Sequence, residues 1–174
     1  MQLNAKKTQL INISLLKSVN IRDQFLVANE LIDTVMTAKF LGVTIDCQLT
    51  FKSHVTERIT KALKLAYVLV KLKRVGIPTE NLIEIYRARI FSLLTYAAPA
   101  WFTHISQTLT TNLERVQKLC LKIVVPGEKG YEDRLHVAKL TTVEAHMQKL
   151  CQNYLQKISK NPKHRLHNLI SYKL

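Results

Sequence analysis

Lys39-Phe40-Leu41-Gly42-Val43-Thr44-Ile45-Asp46 runs, after Cys47-Gln48, into Leu49-Thr50-Phe51-Lys52-Ser53-His54-Val55, and the fold turns on this passage. Residues 40–45 are rich in β-formers. From Lys52 onward the apolar period lengthens from two residues to about 3.6. A strand therefore hands over to a helix within a few residues. Over 52–74, Val55, Ile59, Leu63, Ala66 and Val70 recur at the spacing of an amphipathic helix, so these five are expected to face a core. Gly76 and Pro78 end that helix.

Upstream, the pattern reads as short strands. Residues 8–14 alternate loosely, with Leu10, Ile11 and Ile13 apolar. Residues 24–28 and 31–32 flank Asn29-Glu30, read as a tight turn. No crossover helix separates these pieces, so an antiparallel arrangement is expected. Such a sheet is marginal alone and needs helices to cover one face.

Downstream, Thr79 reads as the N-cap of a second helix, from Glu80 to about Ala97, which Pro99 bends or stops. Leu82, Ile85, Tyr86, Ile90, Leu93 and Leu94 cover most of its circumference, which makes it central. Ser106 reads as the cap of a third helix reaching Val125, with Leu109, Leu113, Val116, Cys120 and Ile123 inward. Residues 126–130 form a Pro-Gly loop. Thr141 and Glu144 have capping-box spacing and open a last long helix, which Asn161-Pro162 stops near Lys160. The expected fold is α+β and mostly α: a small antiparallel sheet over 1–51, a three-helix bundle over 52–125 and a helical extension over 126–174.

The chain carries 26 Lys and Arg against 12 Asp and Glu, a formal net charge of +14 over 174 residues. A surplus of that size favours polyanions, through neutralised phosphates and released counterions, and solubility alone is served by less. Nucleic acid is preferred over an anionic membrane, and no apolar run approaches a membrane span. The opening Met1 to Lys7 has no apolar core of the kind a secretory leader needs. Cys47, Cys120 and Cys151 are odd in number and form no Cys-x-x-Cys, which suits a reducing intracellular compartment, nucleus or cytoplasm.

Two basic stripes emerge from helical spacing. Lys61, Lys64 and Lys71 fall within about a quarter-turn of one another on the first long helix. Arg115, Lys118 and Lys122 follow at i, i+3 and i+7 on the third. Together they can flank a nucleic-acid backbone without reading its sequence; separately, each is also what any solvated helix face carries. Catalytic candidates are poor. Glu132-Asp133 is the only adjacent acidic pair and opens a helix, where acids complement the dipole. His164 and His167 have no nearby Cys and make no credible metal site. Trp101 and Phe102 fit a core or helix junction better than a base-stacking platform.

Read in order, several of these elements resemble the C-terminal part of LINE-type (non-LTR, jockey-like) retrotransposon reverse transcriptases. Asn4-Ala5-Lys6-Lys7-Thr8 is similar to the family's Asn-x-x-Lys-Thr element. Phe40-Leu41-Gly42 is similar to the Tyr/Phe-Leu-Gly of the primer grip. Leu49-Thr50-Phe51-Lys52-Ser53-His54 is similar to Leu-Ser-Trp-x-x-His, with Phe51 where Trp is usual. Tyr86, and then Tyr96-Ala97-Ala98-Pro99-Ala100-Trp101, resemble Leu-x-x-x-Tyr and Tyr-x-x-Pro-x-Trp. Leu113-Glu114-Arg115-Val116-Gln117-Lys118 resembles Leu-Glu-x-x-Gln-Arg/Lys. Tyr131-Glu132-Asp133-Arg134-Leu135 with Thr142-Val143-Glu144 resembles a Tyr-x-x-Arg-Leu … Leu-Glu-x-Arg-Arg ending, with Ala145-His146 in place of the basic pair. Residues 161–167 resemble a Pro-x-His-Pro-Leu-His tail.

The resemblance implies a palm-edge β remnant over 1–51, a thumb-like bundle over 52–125 and a C-terminal extension. It places Phe40, Leu41 and Gly42 near a primer terminus. It implies an RNA-directed DNA polymerase as parent, with its Mg²⁺-binding carboxylates upstream of Met1, so that this chain holds no catalytic residue, metal or cofactor and is inactive alone. The implied partners are RNA–DNA or DNA duplex, held by its backbone, and a separate catalytic half or other protein. The competing reading is a non-enzymatic basic helical scaffold that docks a protein.

Overall fold

The computed structural model describes Asn4 and residues 8–14, 25–27 and 30–171. Its strands are β1 (Gln9–Leu10), β2 (Leu26–Val27), β3 (Glu30–Leu31), β4 (Asp33–Thr34), β5 (Thr37–Phe40) and β6 (Val43–Asp46). Its helices are α1 (Lys52–Arg74), α2 (Thr79–Ile85), α3 (Ser92–Thr95), α4 (Gln107–Val124), α5 (Tyr131–Ala138), α6 (Val143–Ser159) and α7 (His167–Ser171). The fold is α+β and predominantly helical, as the periodicities predict.

The β region is three two-stranded ladders rather than one sheet. β2–β3 and β5–β6 are antiparallel. β1 and β4 pair in parallel, Gln9 with Asp33 and Leu10 with Thr34, which departs from the antiparallel expectation for these pieces. Residues 11–32 separate the two strands, and a parallel connection needs a dozen or more residues. Glu30 belongs to β3, not to the turn expected at Asn29-Glu30; Asn29 and most of the Asn4–Thr8 element lie outside the described residues.

α1 has the span its sequence predicts, but its buried face is rotated. His54, Val55, Ala62, Ala66 and Leu69 are buried, whereas Leu63, expected inward, is 44% exposed. The reason is tertiary. α1 packs on α4, but also on β6, α2, α3 and the segment between them, and these partners together define which side is inner.

The expected helix from Glu80 to Ala97 is continuous from Thr79 to Thr95, but residues Tyr86–Phe91 form a π-turn between α2 and α3. Pro78, not Thr79, occupies the cap position, and no side chain caps it. The helix ends before Pro99 acts: Tyr96 is extended and Ala97 left-handed (φ 53), and Pro99 sits in a following 3₁₀ turn. Leu82, Tyr86, Ile90 and Leu94 are almost fully buried, so the segment is central as expected.

α6 is capped one residue later than the capping box predicts. Thr142 Oγ1 accepts from the Ala145 amide, and Glu144 falls outside the reciprocal position. The amide of Val143 donates instead to Glu114 Oε2 on α4, at 3.0 Å. A carboxylate from another helix has replaced the local partner, a substitution no local spacing rule can anticipate.

Candidate nucleic-acid interface

The tip of the β5–β6 hairpin is Leu41-Gly42, with φ of 46° and 80°. Positive φ at both central residues matches the type I′ turn that suits hairpin twist. Gly42 adopts this geometry freely; Leu41 does so at a cost of about 1 kcal/mol or more. The bracing comes from elsewhere in the chain. Tyr96 Oη donates to the Leu41 carbonyl at 3.0 Å, and Arg58 Nη2 donates to the Gly42 carbonyl at 2.5 Å. The Arg58 guanidinium lies 5.0 Å over the Tyr96 ring. A Cβ on Gly42 would meet Tyr96 Cε1 at 3.4 Å. With both turn carbonyls clasped, Phe40 and Leu41 project into solvent, 66% and 76% exposed.

The hairpin's root is held as firmly. His54 is fully buried, and its Nδ1 accepts from the Thr44 amide at 3.2 Å. Its ring meets Trp101 edge-on, with centroids 5.3 Å apart. Burial, reinforced by the positive Arg58, pushes its pKa down to about 4, so the imidazole is neutral at pH 7. Asp46 closes the β6–α1 corner, accepting from the amides of Gln48, Thr50 and Phe51 and from the Thr50 hydroxyl. Burial raises this carboxyl, but those hydrogen bonds outweigh it and leave the pKa below the ordinary value. Leu49 and Phe51 are both left-handed in this corner, and Phe51 is buried.

Among the predicted basic residues, Lys61, Lys64 and Lys71 are exposed on α1, and Arg115, Lys118 and Lys122 on α4. At about 100° per residue, each stripe lies roughly opposite the buried face of its helix. They are not equivalent in free charge. Lys61 Nζ pairs with Glu57 at 2.5 Å, beside Lys39 at 3.3 Å. The Lys61 hydrogen bond holds the Glu57 carboxyl down to about 2. Lys71 lies over the Tyr67 ring at 4.7 Å and Lys118 over Tyr131 at 4.9 Å. Arg115 donates to Asn112 Oδ1 at 3.1 Å. Lys64, Lys71, Arg115, Lys118 and Lys122 have no carboxylate partner among the described residues.

Many other residues of the sequence elements hold the scaffold together. Glu114 accepts from the Tyr131 hydroxyl as well as from the Val143 amide. Burial first, then this bond, raises the Tyr131 pKa. Gln117 is buried and donates to the Thr141 carbonyl at 2.8 Å. Arg134 donates to the carbonyls of Val125 and Glu128, closing the loop before α5. Trp101 is fully buried and donates to the Tyr96 carbonyl at 2.9 Å, so the core reading of this residue is the correct one. Cys120 is buried, and burial pushes its thiol up to about 12, which makes it unreactive.

Glu132 and Asp133 lie in the first turn of α5, as expected from the dipole argument. Among the described residues, no group of three or more His, Cys, Asp or Glu side chains is placed to hold a metal, and no helix is long and apolar enough to cross a membrane. Periodicity alone missed Arg58 and Tyr96, the two residues that support the exposed turn. The available signal was Arg58's place one helical turn after His54, on the face that meets the hairpin. No protein-family model, curated protein or solved structure matches the chain.

Proposed function

We propose that the chain is a nucleic-acid-holding module, the thumb and palm edge of a retrotransposon RNA-directed DNA polymerase, which grips a template–primer duplex and carries no catalytic carboxylates of its own. One observation carries the reading: each long helix of the pair has a single carboxylate, and both are committed. Glu57 is bound by Lys39, Lys61 and Thr44, and Glu114 by Tyr131 and Val143. The outward charge of α1 and α4 is therefore cationic throughout, which suits a phosphate backbone. The exposed, braced turn at Phe40-Leu41-Gly42 supports a grip at the primer end. Mg²⁺ belongs, on this reading, to a catalytic half that this chain would complement. A place in the nucleus or cytoplasm goes with it.

The test is titration of a fluorescent RNA–DNA hybrid against the chain at several salt concentrations. With about six phosphate contacts, affinity falls by about 10³-fold between 50 and 200 mM salt, with little sequence preference. Reversing charge at Lys64, Lys71, Arg115 and Lys122 abolishes binding, whereas Lys61→Glu has a smaller effect because Glu57 already neutralises Lys61. Salt-independent binding, or binding indifferent to the four reversals, overturns the proposal.

A further inference from the structure

The contact surface between α1 and α4 is not closed along its length. Two cavities, of about 780 and 360 Å³, share Thr56, Leu109 and Asn112 as lining residues and so form one continuous trough. The helices run side by side in the same direction. Thr56 faces Leu109 across the trough near their starts, and Lys73 Nζ reaches the Ile123 carbonyl at 2.6 Å near their ends. The trough follows α1 from Lys52 to Leu63, about three helical turns.

Its floor is apolar. Ile59 and Leu63 on α1 and Leu109, Val116 and Leu119 on α4 line it, with Leu63 and Leu119 still 44% and 45% exposed. Among the described residues, no carboxylate lines either cavity, while Lys52 and Arg115 do. The flanking surfaces of both helices are cationic. A phosphate backbone offers no apolar group to cover Leu63 and Leu119. An amphipathic helix does, laying its apolar stripe on the trough and its charged edges along the rims. The rims' sign sets the sign of those edges.

From this we infer that the α1–α4 trough is a docking site for an acidic amphipathic helix of a protein partner. The site stands independently of the nucleic-acid reading but shares Arg115 with it. Helix and duplex therefore compete, and a bound partner displaces nucleic acid from α4.

The test uses the full chain and a fluorescein-labelled synthetic helix about five turns long, with leucines at i, i+4 and i+7 and glutamates along both edges. A lysine-edged version and a version with serines for leucines serve as controls. Anisotropy is expected to show saturable binding of the glutamate peptide alone. Leu63→Ser with Leu119→Ser weakens it at least about tenfold, since two apolar contacts are lost without a change of charge. Lys52→Ala with Arg115→Ala weakens it about threefold to tenfold at low salt and makes its loss with salt shallower, since less charge attraction is left to screen. Both leucines are partly exposed, and circular dichroism melting confirms that each variant is folded. Unlabelled RNA–DNA hybrid displaces the peptide. Equal binding of the lysine peptide, no saturation with the glutamate peptide, or indifference to the serine variants overturns the inference. So does a trough that loses hybrid instead of peptide when its leucines are replaced.

Discussion

The β ladders and the helical body use similar apolar residues to opposite ends. In the ladders, Leu26, Leu31, Met36, Phe40 and Leu41 are 61% to 76% exposed. In the body, Leu69, Leu82, Leu94, Leu113 and Leu121 are at most 1% exposed. Strands of two to four residues cannot close a core of their own. What order the β5–β6 hairpin has, it takes from helices: His54 and Arg58 on α1 and Tyr96 after α3 hold it by its backbone. Away from the tip, side chains hold the hairpin as well: Lys39 and Thr44 bond Glu57, and Val43 is buried. At the tip the grip is on the carbonyls alone, and it leaves the side chains of Phe40 and Leu41 turned outward.

The strongest break in this comparison is acid. His54 has a folded pKa of about 4 against about 6.5 unfolded. Between those values the unfolded chain binds the extra proton. The stabilising contribution of the neutral ring is therefore complete above pH 6.5 and is lost as pH falls towards 4, by about 3 kcal/mol in all. Denaturant titrations from pH 7 to 4 are expected to show this slope. His54→Gln keeps an acceptor for the Thr44 amide and does not titrate, so it flattens the slope; an unchanged slope in that variant disproves the assignment.

Within the helical body, Glu114→Ala leaves the Tyr131 hydroxyl and the Val143 amide without their partner. The expected loss is about 2 kcal/mol, measured as a lower midpoint of the whole cooperative transition. If only the α6 end frayed, by amide exchange, with the midpoint unmoved, the body would be less cooperative than its shared core suggests.

At the tip the effects are smaller and local. Gly42→Ala must hold φ near 80° with its methyl against Tyr96, at a cost of about 1 kcal/mol. Leu41→Asn, a residue at home in a type I′ turn, is expected to gain about 0.5 kcal/mol. Amide exchange in β5 and β6 should follow both, with α4 to α6 unaffected. Exchange spreading into α4 would show that the hairpin and the body unfold as one unit.

Much of the fold was legible because it rests on local rules. The switch of period at Lys52, the ends of α1, the first-turn acids of α5 and the centrality of Leu82, Tyr86, Ile90 and Leu94 all follow from spacing and composition. The basic stripes were legible for the same reason. The clasp was not. Arg58 and Tyr96 are 38 positions apart (96 − 58), and no pattern along the chain says that one will stack on the other and share a turn with it. Nor does spacing along α4 mark Glu114 as a cap for another helix; Val143 and Tyr131 reach it only in the fold.

By itself, the sequence determined the helical class, the long amphipathic segments, the positive charge and both ends of α1, since each depends on residues within a few turns of one another. Tertiary structure alone decided which side of α1 is buried, which cations remain unpaired and which carbonyls the side chains clasp. Those outcomes depend on the free energy of contacts between distant segments, and that energy is defined only once the segments have met.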